Sequence, residues 1–287
     1  MAFAGPLTIL GAMTEEELRC VAVMVASEGA LLARARFRTG ARSSAKTGFE
    51  IVTVVDLAVE NHVRQRLTEL VPGALVIGEE GGSGAGPERS ADGDPNTLLA
   101  FVDPIDGTTN YAHGHPFYAT SIGFARGGRA VAGAVVAPSL HQTWSAAADG
   151  PALRGDTPCV VSDTAELSSA LLATGFPYDR RSSDDDNLRA FAALKKQSQG
   201  IRRCGSAAID LCLVADGTYD GYWERKLMPW DVAAGVLIAE RAGARLTDDR
   251  GGAYVLPSTP ERTHVLAANP GLHAVLLAAL LAVDPCG

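Results

Sequence analysis

The chain has 287 residues, 47% hydrophobic and 20% charged, which is ample for one large α/β unit or two smaller ones sharing a face and is the balance of a globular rather than a disordered chain. With 25 Lys and Arg against 33 Asp and Glu, the formal net charge is −8, the wrong sign for gripping a nucleic-acid backbone, so handling an anionic substrate calls for bound cations. No run reaches the ~20 apolar residues of a membrane span, and Cys20, Cys159, Cys204, Cys212 and Cys286 show no C-x-x-C pair, which points to reduced thiols rather than a disulfide scaffold or thiolate zinc site.

The start, MAFAGPLTILGAMTEEE, has neither the basic opening nor the long apolar core of a secretory leader, so a soluble, cytoplasmic protein is expected. Thr14-Glu15-Glu16-Glu17 reads as a capping box that opens a helix, with Leu18, Val21, Val25 and Leu32 on its inner face and Thr39-Gly40 at its end. FEIVTVVD (49–56) is an extended piece running into a helix over 56–70. ALVIGEE (74–80) and LLAFVDP (98–104) are strands that end in acids, joined by the Gly-, Ser- and Asp-rich surface loop EGGSGAGPERSADGDPN. Residues 117–147 read as an antiparallel meander with turns at Gly127-Gly128 and Pro138-Ser139. There follow a strand (169–176), a helix (186–197), a strand (201–204), a helix (205–217), a strand (219–224) and a helix (229–243) with Pro229 in its first turn. Strands at 244–248 and 264–269 complete a second sheet, and 270–283 is a final helix. The expectation is an α+β or layered α/β chain in one unit, with halves at about 1–150 and 151–287 sharing a cleft.

Asp56, Glu79, Glu80, Asp103, Asp106 and Asp231 all fall at element ends. Asp103 and Asp106 cannot be far apart, and packed carboxylates take up protons unless a hard cation neutralises them; Mg²⁺, octahedral and oxygen-ligated, is the natural candidate. Pro104 pre-sets the turn and removes one competing donor, leaving the Ile105 carbonyl to face the same place. Gly107-Thr108-Thr109 offers N–H groups in a tight turn suited to a phosphate, and metal beside phosphate suggests cation-assisted phosphoryl chemistry with Thr108 orienting a water. Against this, D-P-x-D-G is also an ordinary surface turn. Asp56 is a good N-cap for the helix that follows it, Glu80 a solvated neighbour, and Asp231 a favourable first-turn acid. His113 and His115 have no third zinc ligand at a plausible interval. No G-x-x-x-x-G-K-[ST] and no G-x-S-x-G occurs, which removes nucleotide-loop and serine-hydrolase readings.

With GEE, DPIDGTTNY, GSAAIDLCLVADGTYDGYWE and PWDVAAG in this order, nearly the whole chain resembles the inositol monophosphatase family. The resemblance implies a layered αβαβα sandwich of the sugar phosphatase type, a homodimer, Mg²⁺ dependence and Li⁺ sensitivity. It assigns Glu79, Asp103 and the Ile105 carbonyl to one Mg²⁺, Asp103, Asp106 and Asp231 to a second, and Glu79 with waters to a weaker third. It implies direct in-line attack on phosphorus by a metal-activated water oriented by Thr108 and Glu79, with Asp56 behind Thr108. Substrate contacts carried over in the same way are Asp106, Gly107 and Thr108 on the phosphate side and Gly205, Ser206, Ala207, Glu224, Asp231 and Arg202 on the polyol side. GSAA with the Glu of GYWE favours inositol 1-phosphate. Histidinol phosphate, fructose 1,6-bisphosphate and 3′-phosphoadenosine phosphates are the alternatives within the superfamily. Some bacterial relatives serve instead as non-catalytic partners of the transcription machinery, a reading of a different class.

Overall fold

The computed structural model describes residues 13–39, 43–45, 51–81, 94, 96–179 and 181–283. Helix α1 (Glu15–Arg36) opens on the expected capping box, in which the Thr14 side chain accepts from the Glu17 N–H and the Glu17 carboxylate accepts from the Thr14 N–H at 2.8 Å. It closes at Arg36, earlier than Thr39, whose hydroxyl instead donates to the Arg36 carbonyl at 2.7 Å; Gly40 lies outside the described residues. Two short strands, β1 (Ser43–Ala45) and β2 (Ile51–Thr53), pair antiparallel ahead of α2 (Val54–Leu70).

Next come β3 (Leu75–Gly78), β4 (Leu99–Asp106), the single turn α3 (Thr108–Ala112), and the meander β5 (Ala119–Arg126), β6 (Arg129–Ala137) and β7 (Gln142–Ala147). Most of the Gly-rich segment before β4 lies outside the described residues. The meander has the expected turns, and a small hairpin, β8 (Leu153–Arg154) and β9 (Thr157–Pro158), extends it. Two-residue strands carry no periodicity, so the sequence pattern is silent on them. Together these strands form a seven-stranded sheet of order β3-β4-β5-β6-β7-β8-β9, antiparallel except for β3 and β4.

The second half supplies β10 (Leu171–Thr174), α4 (Leu188–Lys195), β11 (Gly200–Arg202), α5 (Ala207–Ala215), β12 (Gly221–Leu227), α6 (Pro229–Arg241), β13 (Arg245–Thr247), β14 (Thr263–Ala268) and α7 (Pro270–Val283). Its five strands run in the order β11-β10-β12-β14-β13.

Three apolar clusters define the layering. α1 and α2 bury Leu18, Val25, Val59 and Val63 against one face of the seven-stranded sheet. α5 and α6 fill the space between the two sheets, with Ile209, Leu211, Leu237 and Ile238 fully buried. α4 and α7 cover the outer face of the five-stranded sheet through Leu194, Leu272 and Leu276. The result is the expected αβαβα sandwich. In the middle layer α6 lies very close to the sheet: a Cβ on Gly123 would come within 2.6 Å of the Ala233 Cβ, and one on Gly133 within 2.9 Å of the Ala234 Cα. The small side chains on both surfaces therefore set the height of α6 above β5 and β6.

Candidate active site

Strand β4 is buried along its whole length, and its ladder with β5 shifts register between Asp103 and Asp106. Pro104, which has no N–H to give the ladder, accounts for the irregularity. The shifted end turns both carboxylates into one cavity of about 500 Å³ that is also lined by Glu79, Ile105, Gly107, Thr108, Gly205, Ser206, Ala207, Glu224 and Asp231. Glu79 follows β3, the parallel neighbour of β4, and its N–H donates to the Val102 carbonyl at 3.2 Å. Asp231 arrives from the opposite side, in the first turn of α6, where its carboxylate accepts the Met228 N–H at 2.7 Å.

One oxygen each of Asp103 and Asp106 is already hydrogen-bonded within the chain. Asp103 Oδ1 accepts from the Ile105 N–H at 3.0 Å, so removing the donor at Pro104 does not leave this acid uncontested. Asp106 Oδ2 accepts from the Ser206 hydroxyl at 2.6 Å and the Ala208 N–H at 2.7 Å. These bonds fix the carboxylate planes and leave each group an oxygen for another partner.

Gly107 adopts φ +97°, and a Cβ there would meet the Phe117 and Gly205 carbonyl oxygens at 3.0 and 3.1 Å. Only glycine suits that turn. The Thr108 hydroxyl that follows lies 2.9 Å from Asp56 Oδ1 and 3.0 Å from the Ile105 carbonyl oxygen. Asp56 is not the N-cap expected for its helix. Thr53 caps α2, and Asp56, at the third helical position, completes the capping box by accepting the Thr53 N–H at 2.9 Å. Asp56 is fully buried, and its second oxygen is thereby free for Thr108.

The electrostatics are dominated by crowded acids. Burial raises the Asp103 carboxyl well above the usual carboxylate range, and the negative charges of Glu79, Asp106, Asp231 and Asp56 raise it further. Asp231 is pushed well up by burial, then by Asp106 and Glu79. Burial lifts Asp106 to about 6 against the pull of Ser206, the Ala208 and Ala207 amides and Arg203. Glu224 reaches about 7, again mainly through burial, with its Tyr222 hydrogen bond and Arg203 opposing.

Such a set fits a hard cation. The donors are carboxylate and carbonyl oxygens, and no His or Cys lines the cavity. Among the described residues no three His, Cys, Asp or Glu side chains are closed into a ready-made metal cage, so the fit rests on donor chemistry and on the mutual repulsion that a cation would relieve.

Of the residues expected on the polyol side, Gly205, Ser206, Ala207, Glu224 and Asp231 line the cavity and one does not. Arg202 is exposed on the edge strand β11 and does not line the cavity, whereas its neighbour Arg203 does. β11 ends at Arg202, and Arg203, although exposed as well, lays its guanidinium against Gly205, where a Cβ would collide with its Nη1. Sequence reasoning also missed the segment Phe176–Asp179 and Lys226, which close the far wall. Lys226 holds that wall by reaching the Ser183 hydroxyl at 2.9 Å and the Asp179 carboxylate at 3.3 Å. Glu80 contributes no side chain to the cavity.

A model of the inositol monophosphatase family matches residues 14–283. The inositol-1-monophosphatase SuhB of Mycobacterium tuberculosis (strain ATCC 25618 / H37Rv) is 40% identical over 281 residues, covering 92% of this chain and 93% of its own length. The Nus factor SuhB of Pseudomonas aeruginosa is 38% identical over 235 residues, 81% of this chain and 83% of that protein. Among solved structures, an inositol monophosphatase from Anabaena (Nostoc) sp. PCC 7120 superposes with a TM-score of 0.81 at 36% identity, covering 94% of this chain and 97% of that one.

Proposed function

Because the chain belongs to the inositol monophosphatase family, and is thereby a phosphoric monoester hydrolase, we propose that it converts inositol 1-phosphate to inositol and phosphate with Mg²⁺. One observation carries the reading: Glu79, Asp103, Asp106 and Asp231 share a single cavity with the Gly107-Thr108 turn. Its volume of about 500 Å³ suits a small polar ligand.

Glu79, Asp103 and the Ile105 carbonyl would hold one Mg²⁺, and Asp103, Asp106 and Asp231 a second. When bound, Mg²⁺ polarises the phosphoryl group and lowers the pKa of water. The remaining tasks fall to the chain itself. The Thr108 hydroxyl has one proton, given to Asp56 or to the Ile105 carbonyl, so a lone pair is left to accept from the attacking water and orient it. The Gly107 and Thr108 amides, in the first turn of α3 and without helical partners, meet phosphate oxygens. On the alcohol side Glu224 accepts from ring hydroxyls, Gly205, Ser206 and Ala207 form the wall, and Arg203 takes the part expected of Arg202. The homodimer and Li⁺ sensitivity implied by the resemblance belong to the same proposal. No helix among the described residues is long and apolar enough to cross a membrane.

The test is phosphate release from inositol 1-phosphate, histidinol phosphate, fructose 1,6-bisphosphate and 3′-phosphoadenosine phosphate, each with and without Mg²⁺ and ranked by kcat/KM. Inositol 1-phosphate is expected to lead. A different leader moves the substrate within the superfamily. A relative bearing the name of a Nus factor keeps a protein-binding role in view, and a wild-type protein inert on every ester would favour that role over catalysis.

A further inference from the structure

Helix α2 carries a buried carboxylate that no step above uses. Glu60 is 3% exposed and stands one helical turn after Asp56, with Arg64 a further turn on, so the three form a stripe along one face. Asp56 reaches Thr108. Arg64 donates to the Val76 carbonyl of β3 and to Glu60 Oε1, both at 2.8 Å.

Glu60 grips the backbone around Glu79. Its Oε2 accepts the Glu80 N–H at 2.7 Å, and its Oε1 accepts the Gly81 N–H at 2.8 Å. Charge-assisted bonds to two consecutive amides fix the plane of the turn as well as its position. On the other side of Glu79, a Cβ on Gly78 would come within 2.5 Å of the Glu60 Cδ, so the chain there lies directly against the carboxylate. Glu79, which lines the cavity, thus belongs to a turn wrapped around Glu60, next to Val102 on the strand that carries Asp103.

We propose that Glu60 is a positioning residue for the reaction: its carboxylate holds the Gly78–Gly81 turn and thereby sets Glu79 at the correct place beside Asp103. The proposal rests on the reading of Glu79 as a cation ligand. An amide at position 60 keeps one accepting oxygen but turns an NH₂ toward the second N–H, which loses one bond and sets two donors against each other. A methyl at position 78 would meet the Glu60 Cδ, Oε1 and Oε2 at 2.5, 2.6 and 2.7 Å, forcing the turn and the carboxylate apart without changing the charge of Glu60.

The experiment titrates Mn²⁺ into metal-stripped wild-type, E79Q, E60Q and G78A proteins, reading free Mn²⁺ by electron paramagnetic resonance. It is paired with kcat and KM for inositol 1-phosphate and with circular dichroism and melting curves. E60Q and G78A are expected to weaken Mn²⁺ binding roughly 10- to 100-fold, the range for groups that hold a ligand in place, and to lower kcat more than they raise KM. E79Q should weaken binding at least as much. Folded E60Q and G78A that bind Mn²⁺ like wild type while E79Q does not would overturn the positioning role and leave the ligand reading standing. E79Q binding like wild type would remove the ligand reading and the positioning role with it. If E60Q does not fold, G78A decides the matter alone.

Discussion

Glu224, proposed to accept from ring hydroxyls of the substrate, has its pKa pushed by burial into the physiological range. Its Oε2 accepts from the Tyr222 hydroxyl at 2.5 Å, and burial pushes its pKa to about 7, with Arg203 holding it down and Asp106 pushing it up. Because the shift is upward, the neutral acid persists to near pH 7, and only above that is the full accepting capacity of a carboxylate offered to ring hydroxyls. KM for inositol 1-phosphate, measured at saturating Mg²⁺, is therefore expected to fall several-fold between about pH 6 and pH 8, and E224Q should flatten that dependence. R203A removes a cation that favours the ionised form, so its inflexion should move to higher pH; an unmoved inflexion would detach Arg203 from Glu224. Asp103 allows no such tuning. With Glu79, Asp106, Asp231 and Asp56 all raising it beyond the effect of burial, its ionised form is disfavoured, and a cation beside it would relieve that repulsion. D103N keeps the shape and removes the charge, so kcat should drop by about 10³-fold or more, comparable with losing a major electrostatic stabiliser. The far-UV spectrum should be unchanged.

At the scale of elements, α6 delivers Asp231 to the cavity from one side of the middle layer, and its height is set by the glycines of β5 and β6 beneath it. G123A would force a methyl to within 2.6 Å of the Ala233 Cβ and 2.7 Å of the Ala234 nitrogen, and backbone cannot yield as a flexible side chain can. Urea denaturation should show a loss of about 1–3 kcal/mol, the usual cost of overpacking. Because the displaced helix carries Asp231, kcat should fall with it although residue 123 lies outside the cavity. Elements held by local signals were legible beforehand. α7 spans 270–283 as its apolar spacing and opening proline indicate, α1 begins at its capping box, and the D-P-I-D-G-T run announces a strand that ends in ligand-like oxygens. Features resting on distant contacts were not. Thr53 and Asp56 are both acceptable caps, and only the pairing of Asp56 with Thr108, 52 residues away, explains why the carboxylate moves into the third position. Glu60 reads as a routine polar residue of a helix until its amide partners, 20 and 21 residues on, are known. Arg202 and Arg203 are chemically identical, and the end of an edge strand decides which one meets the cavity.

At the scale of the whole molecule, folding gathers acids from both sheets and from the middle layer into one cavity, so stability becomes linked to pH and to cations. Asp103, Asp231, Asp106 (about 6) and Glu224 (about 7) all have raised values. Between the unfolded and folded pKa of each group, the native state binds protons that the unfolded chain has released. The slope of unfolding free energy with pH is therefore negative in that window: the stabilising contribution is complete below the ordinary carboxylate range and is lost as pH rises through the folded values. Acids with lowered values, such as Glu16, Glu28, Asp179 and Asp185, act in the opposite sense but under more acidic conditions; outside the cavity lining, the buried Asp210, raised well above its ordinary value, acts in the same sense as the cavity acids, and the buried His273, held below its ordinary value, acts against them. In a chelating buffer the Tm should fall across the range from about pH 5 to 8. A cation that occupies the cavity competes with those protons, and at 100 times its Kd it adds about 2.7 kcal/mol, or roughly 4–5 °C for a chain of 287 residues. Scanning calorimetry with and without Mg²⁺ should show an increment that grows with pH and shrinks in D103N. An increment that is absent, or that declines as pH rises, would mean that the clustered carboxylates are neutralised by something other than the metal.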